Sequence, residues 1–377
     1  MNTVSSFQKP SVAIIGIVGV PAAYGGFETL ADELLHYAQK RGVSSHFVVY
    51  CSGQGPDGRT DYCGAQRRFI SIPANGVASI FYDMVTSLHA WWCGADKLLI
   101  LGVSGAPILL FLRLFTRLEL VINVDGIEWK RAKWNRMASL YLRFAEWLAV
   151  KLSHHVVADN KGIQDYLSET YNCNSSVITY GGDHAMSGAV VELSLTLPER
   201  YALSLCRIEP ENNVHLILEG FSKSQAVPLV FVGNWDATSY GRELWRTYVD
   251  CDNLTLLKPI YDEDRLYTLR RGAEVYVHGH SAGGTNPSLV EMMHFGIPVI
   301  AFDCVFNRYS TDDEAIYFFT AEDLADAVNA ICDKIDKPGS ETVDQLGQKM
   351  ANIAKKRYVW SVVGELYLNV LGIRPVD

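Results

Sequence analysis

Residues 278–298 read His278-Gly-His280-Ser-Ala-Gly283-Gly284-Thr285-Asn286-Pro-Ser-Leu-Val-Glu291-Met-Met-His-Phe-Gly296-Ile-Pro298, and they follow a short apolar strand candidate, Ala273 to Val277. A strand that ends in a small-residue loop and then enters a helix presents unpaired backbone N–H groups and the positive helix end, which together suit a diphosphate. This is a phosphate cradle without a Walker lysine. Two residues into the helix body, Glu291 is placed to accept a hydrogen bond from a sugar hydroxyl, such as the ribose of a nucleotide. Gly296-Ile-Pro298-Val-Ile then reads as a helix stop followed by another buried strand. Taken alone, the same loop also fits a strand–loop–helix that only packs.

Working outward, the first half alternates apolar strand candidates (Val12–Ile17, Phe47–Cys51, Arg68–Ile72, Lys97–Leu101, Glu119–Val124, His155–Ala158) with helical patterns at 27–41, 80–92 and 135–152. The second half repeats the rhythm at Tyr201–Leu205, Leu229–Val232, Leu254–Leu256, Val275–His278 and Val299–Ala301. Alternation of this kind predicts α/β architecture with parallel sheets covered on both faces. Two doubly wound domains follow, joined within Gly181-Gly182 to Pro198, where turn formers interrupt the pattern. The expected division is 1–184, 185–357 and a terminal helix within 358–377. Ligands of such sheets bind beyond the carboxyl ends of the strands, so a cleft between the domains is the expected active site.

Composition agrees. A chain of 377 residues with 49% hydrophobic and 20% charged content is well packed and long enough for two cores. A net charge of −9 argues against nucleic acid as main partner. Eight cysteines without a Cys-x-x-Cys pair, and no signal-peptide pattern, point to reduced thiols in the cytoplasm and away from zinc. The most apolar stretch, Leu98 to Leu112, is interrupted by Ser104, Gly105 and Pro107, and is shorter than the ~20 residues of a spanning helix. It reads as a strand, a turn and a helix start. The run Ile108 to Leu118, with Arg113 and Arg117 among leucines and phenylalanines, fits either a membrane-surface helix or an ordinary core-facing one.

The 278–298 stretch resembles the nucleotide-sugar site of glycosyltransferase family 4, whose fold is GT-B: two Rossmann-like domains facing a central cleft. Its Gly-Gly-Thr-Asn-Pro-Ser-Leu loop is similar to that of a bacterial rhamnosyltransferase-like subgroup. The family pattern has a glutamate, seven residues, then a second glutamate; counting back from Glu291 puts Gly283 at the first place. Since the missing glutamate contacts the donor sugar in the family, a donor with hydroxyls unlike those of glucose, such as a 6-deoxy sugar, fits the loss. The family's arginine in the loop after the first strand of the second domain matches Arg207 in Cys206-Arg207-Ile-Glu209-Pro210-Glu211-Asn212-Asn213. Its lysine five residues later is replaced by Asn212. Lys258, ahead of Pro259-Ile260-Tyr261-Asp262, is a candidate substitute for that charge or else a surface ion pair, and this segment resembles the loop that touches the base.

The first domain offers two further loops. Gly16-Ile-Val-Gly19-Val-Pro21-Ala-Ala-Tyr24-Gly25-Gly26-Phe27-Glu28-Thr29 lacks the spacing of a dinucleotide fingerprint. Gly25 and Gly26 permit close backbone approach to a ligand, and Tyr-Gly-Gly-Phe-Glu-Thr looks typical of the same subgroup, in which the loop lies against donor phosphates and acceptor. Glu28 joins Asp125 and Arg207 as a catalytic candidate, with Tyr24 and Phe27 on the acceptor side. Val124-Asp125-Gly126-Ile127-Glu128-Trp129-Lys130-Arg131 gathers acid, aromatic and basic groups at a strand end. Asp125 is the candidate acceptor-activating base or, equally, a helix cap; Glu128, Trp129 and Arg131 are acceptor-binding candidates. Lys130, Arg131, Lys133 and Arg136 suit anionic lipid or are merely solvated.

The expected donor-binding set is Gly25, Gly26, Arg207, Asn212, Lys258, Ile260, His280, Gly283, Gly284, Thr285, Asn286 and Glu291, with no metal and no cofactor beyond the nucleoside diphosphate sugar. The resemblance implies a retaining rhamnosyltransferase, cytoplasmic and membrane-associated, using dTDP- or UDP-L-rhamnose and a polyprenyl-diphosphate-linked glycan acceptor of a bacterial surface polysaccharide. Rival readings are another hexosyltransferase, a GT-B epimerase, and a nucleotide-sugar-binding scaffold without turnover.

Overall fold

The computed structural model describes residues 11–22, 25–54, 60–131, 134–224, 226–335 and 341–374. The chain divides into two compact units, one running to Thr179 and resuming at Trp360, the other Tyr180–Val359. The change of unit falls a few residues before the expected 184/185 boundary. Gly182 packs so closely on the backbone of Val290 and Glu291 that a Cβ there would lie 2.8 Å from Val290 O, which ties this stretch to the second unit.

In the first unit the strands are β1 (Val12–Ile15), β2 (Phe47–Ser52), β3 (Asp61–Tyr62), β4 (Ala65–Ile70), β5 (Lys97–Leu101), β6 (Glu119–Asn123), β7 (His155–Ala158) and β8 (Ser176–Val177). They form one sheet in the order β3-β4-β2-β1-β5-β6-β7-β8, parallel except for the β3–β4 pair. Helices α1 (Gly26–Lys40), α2 (Ala78–Trp92), α3 (Pro107–Phe115), α4 (Arg136–Leu152) and α5 (Lys161–Tyr171) connect them. Val12, Ala13, Ile14 and Ile15 are all buried, as a strand covered on both faces requires. The observed β4 begins three residues before the expected Arg68–Ile72. Arg67 is buried there, its guanidinium donating to Val20 O at 3.1 Å, so a charged side chain on the inward face hides the strand pattern.

The second unit has β9 (Ala202–Leu205), β10 (Leu229–Val232), β11 (Leu254–Leu257), β12 (Val275–His278), β13 (Val299–Phe302) and β14 (Ile316–Phe318), ordered β11-β10-β9-β12-β13-β14 and parallel throughout. Its helices are α6 (Val214–Lys223), α7 (Ser239–Tyr248), α8 (Glu263–Arg271), α9 (Pro287–Met293), α10 (Val305–Ser310), α11 (Ala321–Ile335) and α12 (Glu341–Arg357). Phe221, Phe231 and Trp235 fill the core between sheet and helices. Both units are thus doubly wound, with the strand order reversing between β1 and β5 in one and between β9 and β12 in the other. Helix α13 (Trp360–Val370) belongs to the first unit: Tyr37 OH donates to Glu365 Oε2 at 2.8 Å, and Asn123 Nδ2 donates to Tyr367 OH at 2.8 Å.

Candidate functional site

In a doubly wound sheet the reversal point leaves a crevice outside the carboxyl ends of two neighbouring strands, and ligands bind there. In the second unit these are the ends of β9 and β12, which lead into Cys206–Asn213 and Gly279–Asn286. The two loops are laced together: Asn213 Nδ2 donates to Gly279 O at 2.8 Å, and Ser281 donates to Glu211 O from both N and Oγ, each at 2.9 Å. Gly279 is required by this contact, since a Cβ would stand 2.1 Å from Asn212 O.

Asn212 takes part in the lacing instead of facing a ligand. Its Nδ2 donates to Arg207 O at 2.6 Å, its Oδ1 lies 2.6 Å from His280 Nδ1, and the residue is buried. Asn212, expected as a donor contact, thus holds Arg207 and His280 in place. Arg207 itself is half exposed, with Glu209 Oε2 3.9 Å from its Nε. Lys258 pairs with Asp236 and lies 5.5 Å from the Trp245 ring centroid, both ionic partners being well exposed. Ile260 is half-buried in the loop after β11.

The expected phosphate cradle comprises a loop and a helix start. Helix α9 starts at Pro287, which has no N–H; Asn286 Oδ1 accepts from Ser288 N at 3.1 Å; Leu289 N and Val290 N turn back to Asn286 O. The helix end is already capped, which leaves the loop Ser281–Asn286 as the segment able to wrap an anion. Gly283 has φ +91°, a conformation that strains any L side chain, so a glutamate at this place would be disfavoured by the backbone. Thr285 is buried beside Gly284 in the same loop.

Glu291 is the fifth residue of α9, not its second, and is buried. One oxygen pairs with Arg270 of α8 and the other lies 3.3 Å from His184 Nε2. Burial alone would push the carboxyl up, but the Arg270 guanidinium and then His184 outweigh it and hold Glu291 below the ordinary glutamate range. Neither partner lies within a local motif of Glu291, so no spacing in the sequence marks them. His278 is buried at the end of β12, and burial together with His280 drives its pKa far down, leaving a neutral imidazole. Among the described residues no group of three or more His, Cys, Asp or Glu could hold a metal ion.

In the first unit, the reversal between β1 and β5 brings together the loops after Ile15 and Leu101. Gly16, with φ +89°, packs where a Cβ would lie 2.1 Å from Leu101 O, and Phe27 stands beside Gly102. Gly25 caps α1 at φ +124°, and Gly26 is its first residue. Glu28 is turned onto this loop: Oε1 accepts from Val18 N at 2.9 Å, and Oε2 occupies the space a Gly25 Cβ would need. Glu28, one of the expected catalytic candidates, thus fastens the glycine loop. Tyr24 lies outside the described residues.

At the end of β6, Asp125 adopts φ +61°, its N–H donating to Asn123 Oδ1 at 2.9 Å. Because Asn123 also donates to Tyr367, helix α13 positions this carboxylate. Asp125 caps no helix; the cap of α4 is Asn135. Arg131 binds Glu128 at 2.9 Å and approaches Asp125 at 3.9 Å, while Trp134 Nε1 donates to Glu128 Oε1 at 3.1 Å. Trp129 donates to Tyr166 OH, and its ring has Lys130 Nζ at 5.4 Å and the Arg143 guanidinium at 5.3 Å. These cations occupy the aromatic surface expected to stack on a sugar. What the loop offers is a half-exposed carboxylate, Asp125, beside an arginine.

Residues 192–357 match the family "Glycosyl transferases group 1", and residues 9–183 match "Domain of unknown function (DUF1972)". No curated protein matches the sequence significantly. Sucrose-phosphate synthase from Thermosynechococcus elongatus superposes with a TM-score of 0.79 at 15% identity, over 97% of this chain and 100% of that one. Anabaena HepE in complex with UDP-glucose gives 0.69 at 13% identity over 96% and 98%. A glycosyltransferase from Rickettsia africae gives 0.70 at 12% identity over 96% and 98%. The two Rossmann-like units have the GT-B fold. Within this fold, residues 192–357 are the part that matches the glycosyl transferases group 1 model.

Proposed function

We propose that the protein moves L-rhamnose from dTDP- or UDP-L-rhamnose, with retention, to a lipid-linked glycan of a bacterial surface polysaccharide. The observation that carries the donor half is the convergence of exposed Arg207 and the Ser281–Asn286 loop at the β9/β12 reversal point, beside buried Glu291. Arginine supplies a fixed fork of donors to a diphosphate, the glycine loop supplies backbone N–H groups, and Glu291 accepts a ribose hydroxyl. No side chain is needed as nucleophile in front-face attack: the departing diphosphate takes the acceptor proton while Arg207 and the loop offset its growing charge. Asp125 is the acceptor-side carboxylate of this reading. Gly283 supports a donor sugar that forgoes the contact made by the family's first glutamate.

A glucosyl donor is the second reading, favoured by the similarity to HepE, solved in complex with UDP-glucose. Thermal-shift and calorimetric titration with dTDP-L-rhamnose, UDP-L-rhamnose, UDP-glucose and GDP-mannose decides between them, because a ligand of the native state raises its stability. Selective stabilisation by a rhamnose donor is expected. Preference for UDP-glucose replaces the substrate, and no response to any of the four donors overturns the donor half of this reading.

A further inference from the structure

The outer surface of the first unit departs from what a water-facing helical layer requires. The connections β4→β5, β5→β6 and β6→β7 all advance in the same direction along the sheet, so right-handed crossovers place α2, α3 and α4 side by side on one face. Each buries one stripe on the sheet, as Tyr82 and Ala90, Leu109 and Leu112, and Leu142 and Ala149 show. The opposite stripe should be polar, yet it is apolar in all three.

On α2 the outward positions recur at helical spacing as Phe81, Val85 and Trp92, the last 75% exposed, and the N-cap Val77 continues the row. On α3 they are Leu110, Leu114 and Phe115, the last 71% exposed. On α4 they are Met137, Leu140, Phe144 and Trp147, with Met137 at 76%. Trp91 and Phe111 meet edge to face at 5.7 Å and make the α2 and α3 stripes continuous. Contiguous apolar surface on this scale marks an interaction site.

Charge identifies the partner. The only acids within these three helices are Asp83 and Glu146, both buried, whereas Arg113, Arg136, Arg143 and Lys151 are exposed, joined by Arg117 just beyond α3. An apolar face whose three helices expose only basic charges, on a chain of net charge −9, is complementary to anionic lipid headgroups over an acyl layer. A second copy of the chain would set cation against cation. Arg136 also stands at the first position of α4, where a cation opposes the helix dipole and gains nothing from its own helix. Among the described residues no helix is long and apolar enough to cross a membrane, which leaves surface contact as the mode.

We propose that the α2–α3–α4 face docks the protein on an anionic lipid bilayer. The face belongs to the first unit and the Arg207 and Ser281–Asn286 loops to the second, so this assignment is tested independently of the sugar transferred.

The test is co-sedimentation of the full chain with vesicles of phosphatidylcholine alone and of phosphatidylcholine with phosphatidylglycerol, at low and high salt. The expected result is binding that needs phosphatidylglycerol and weakens with salt. Leu114→Ser with Phe115→Ser should lower it at least about tenfold, and Arg136→Glu at least about fivefold. Arg136→Glu improves the helix dipole, so loss of binding there is not misfolding. The thermal shift produced by UDP should be unchanged in every variant. Absence of binding to anionic vesicles, binding that these substitutions leave intact, or a solution dimer that the same substitutions dissociate would each overturn the assignment.

Discussion

Arg270→Met is the most informative perturbation of the second unit, because it removes charge while keeping most of the side-chain volume. In the wild type, Glu291 is buried with Arg270 on one oxygen and His184 on the other. Loss of one partner from a buried pair costs about 3–5 kcal/mol. Protonation of the orphaned carboxyl caps that cost: at pH 7, starting from the ordinary value of 4.5, it takes 1.36 × (7 − 4.5), or about 3.4 kcal/mol. The pH dependence follows from the signs. In the wild type the folded pKa is lowered, so the stabilisation is present above 4.5 and is lost only as pH falls below it. In the variant, burial dominates, the folded pKa is raised, and stability is lost as pH rises. The gap between the two should therefore be about 3 kcal/mol at pH 7 and narrow by about 2.7 kcal/mol on going to pH 5, two units at 1.36 each. Urea denaturation at both pH values measures it. A gap that does not change between pH 5 and pH 7, or one below about 1 kcal/mol at pH 7, refutes the reasoning.

Three further outcomes follow from other parts of the fold. Arg207→Ala, at an exposed position, should leave stability within about 0.5 kcal/mol of the wild type. It should weaken UDP binding by about 1.5–3 kcal/mol, roughly 10- to 150-fold by calorimetry, and an unchanged Kd removes Arg207 from the donor site. Asp83 is buried and takes a hydrogen bond from Ser104; burial raises its carboxyl from 3.8 to about 6. Its contribution is thus present below pH 3.8 and lost as pH rises through about 6. Asp83→Asn should be more stable than the wild type by up to about 3 kcal/mol at pH 7, the difference vanishing toward pH 4; equal stability at pH 7 contradicts the assignment. Gly279→Ala places a Cβ 2.1 Å from Asn212 O and 2.8 Å from Ile217 Cδ1, so it should cost about 1–3 kcal/mol in denaturation and weaken UDP binding by loosening the two loops. Wild-type stability in this variant refutes the tight contact.

What the sequence determined by itself is the layer architecture and the position of the two glycine-rich loops. Period-2 and unbroken apolar runs such as Val12–Ile15 and Val275–His278 can be buried on both faces only in a parallel sheet, and the helical runs between them leave one arrangement, the doubly wound one. Arg207 and Ser281–Asn286 were legible because each follows its strand directly, and the strand order then carries them to the same reversal point. Strand β4 was misplaced because Arg67 is buried on a side-chain hydrogen bond that no hydropathy pattern can register. The tertiary structure decided which polar groups are spent within the protein: Asn212 on Arg207 and His280, Glu28 on Val18, Lys258 on Asp236. It likewise supplied Arg270 and His184 to Glu291, and set three outward apolar stripes side by side. A hydrogen bond or an ion pair depends on distances between residues far apart in the chain, and only the folded backbone fixes those distances.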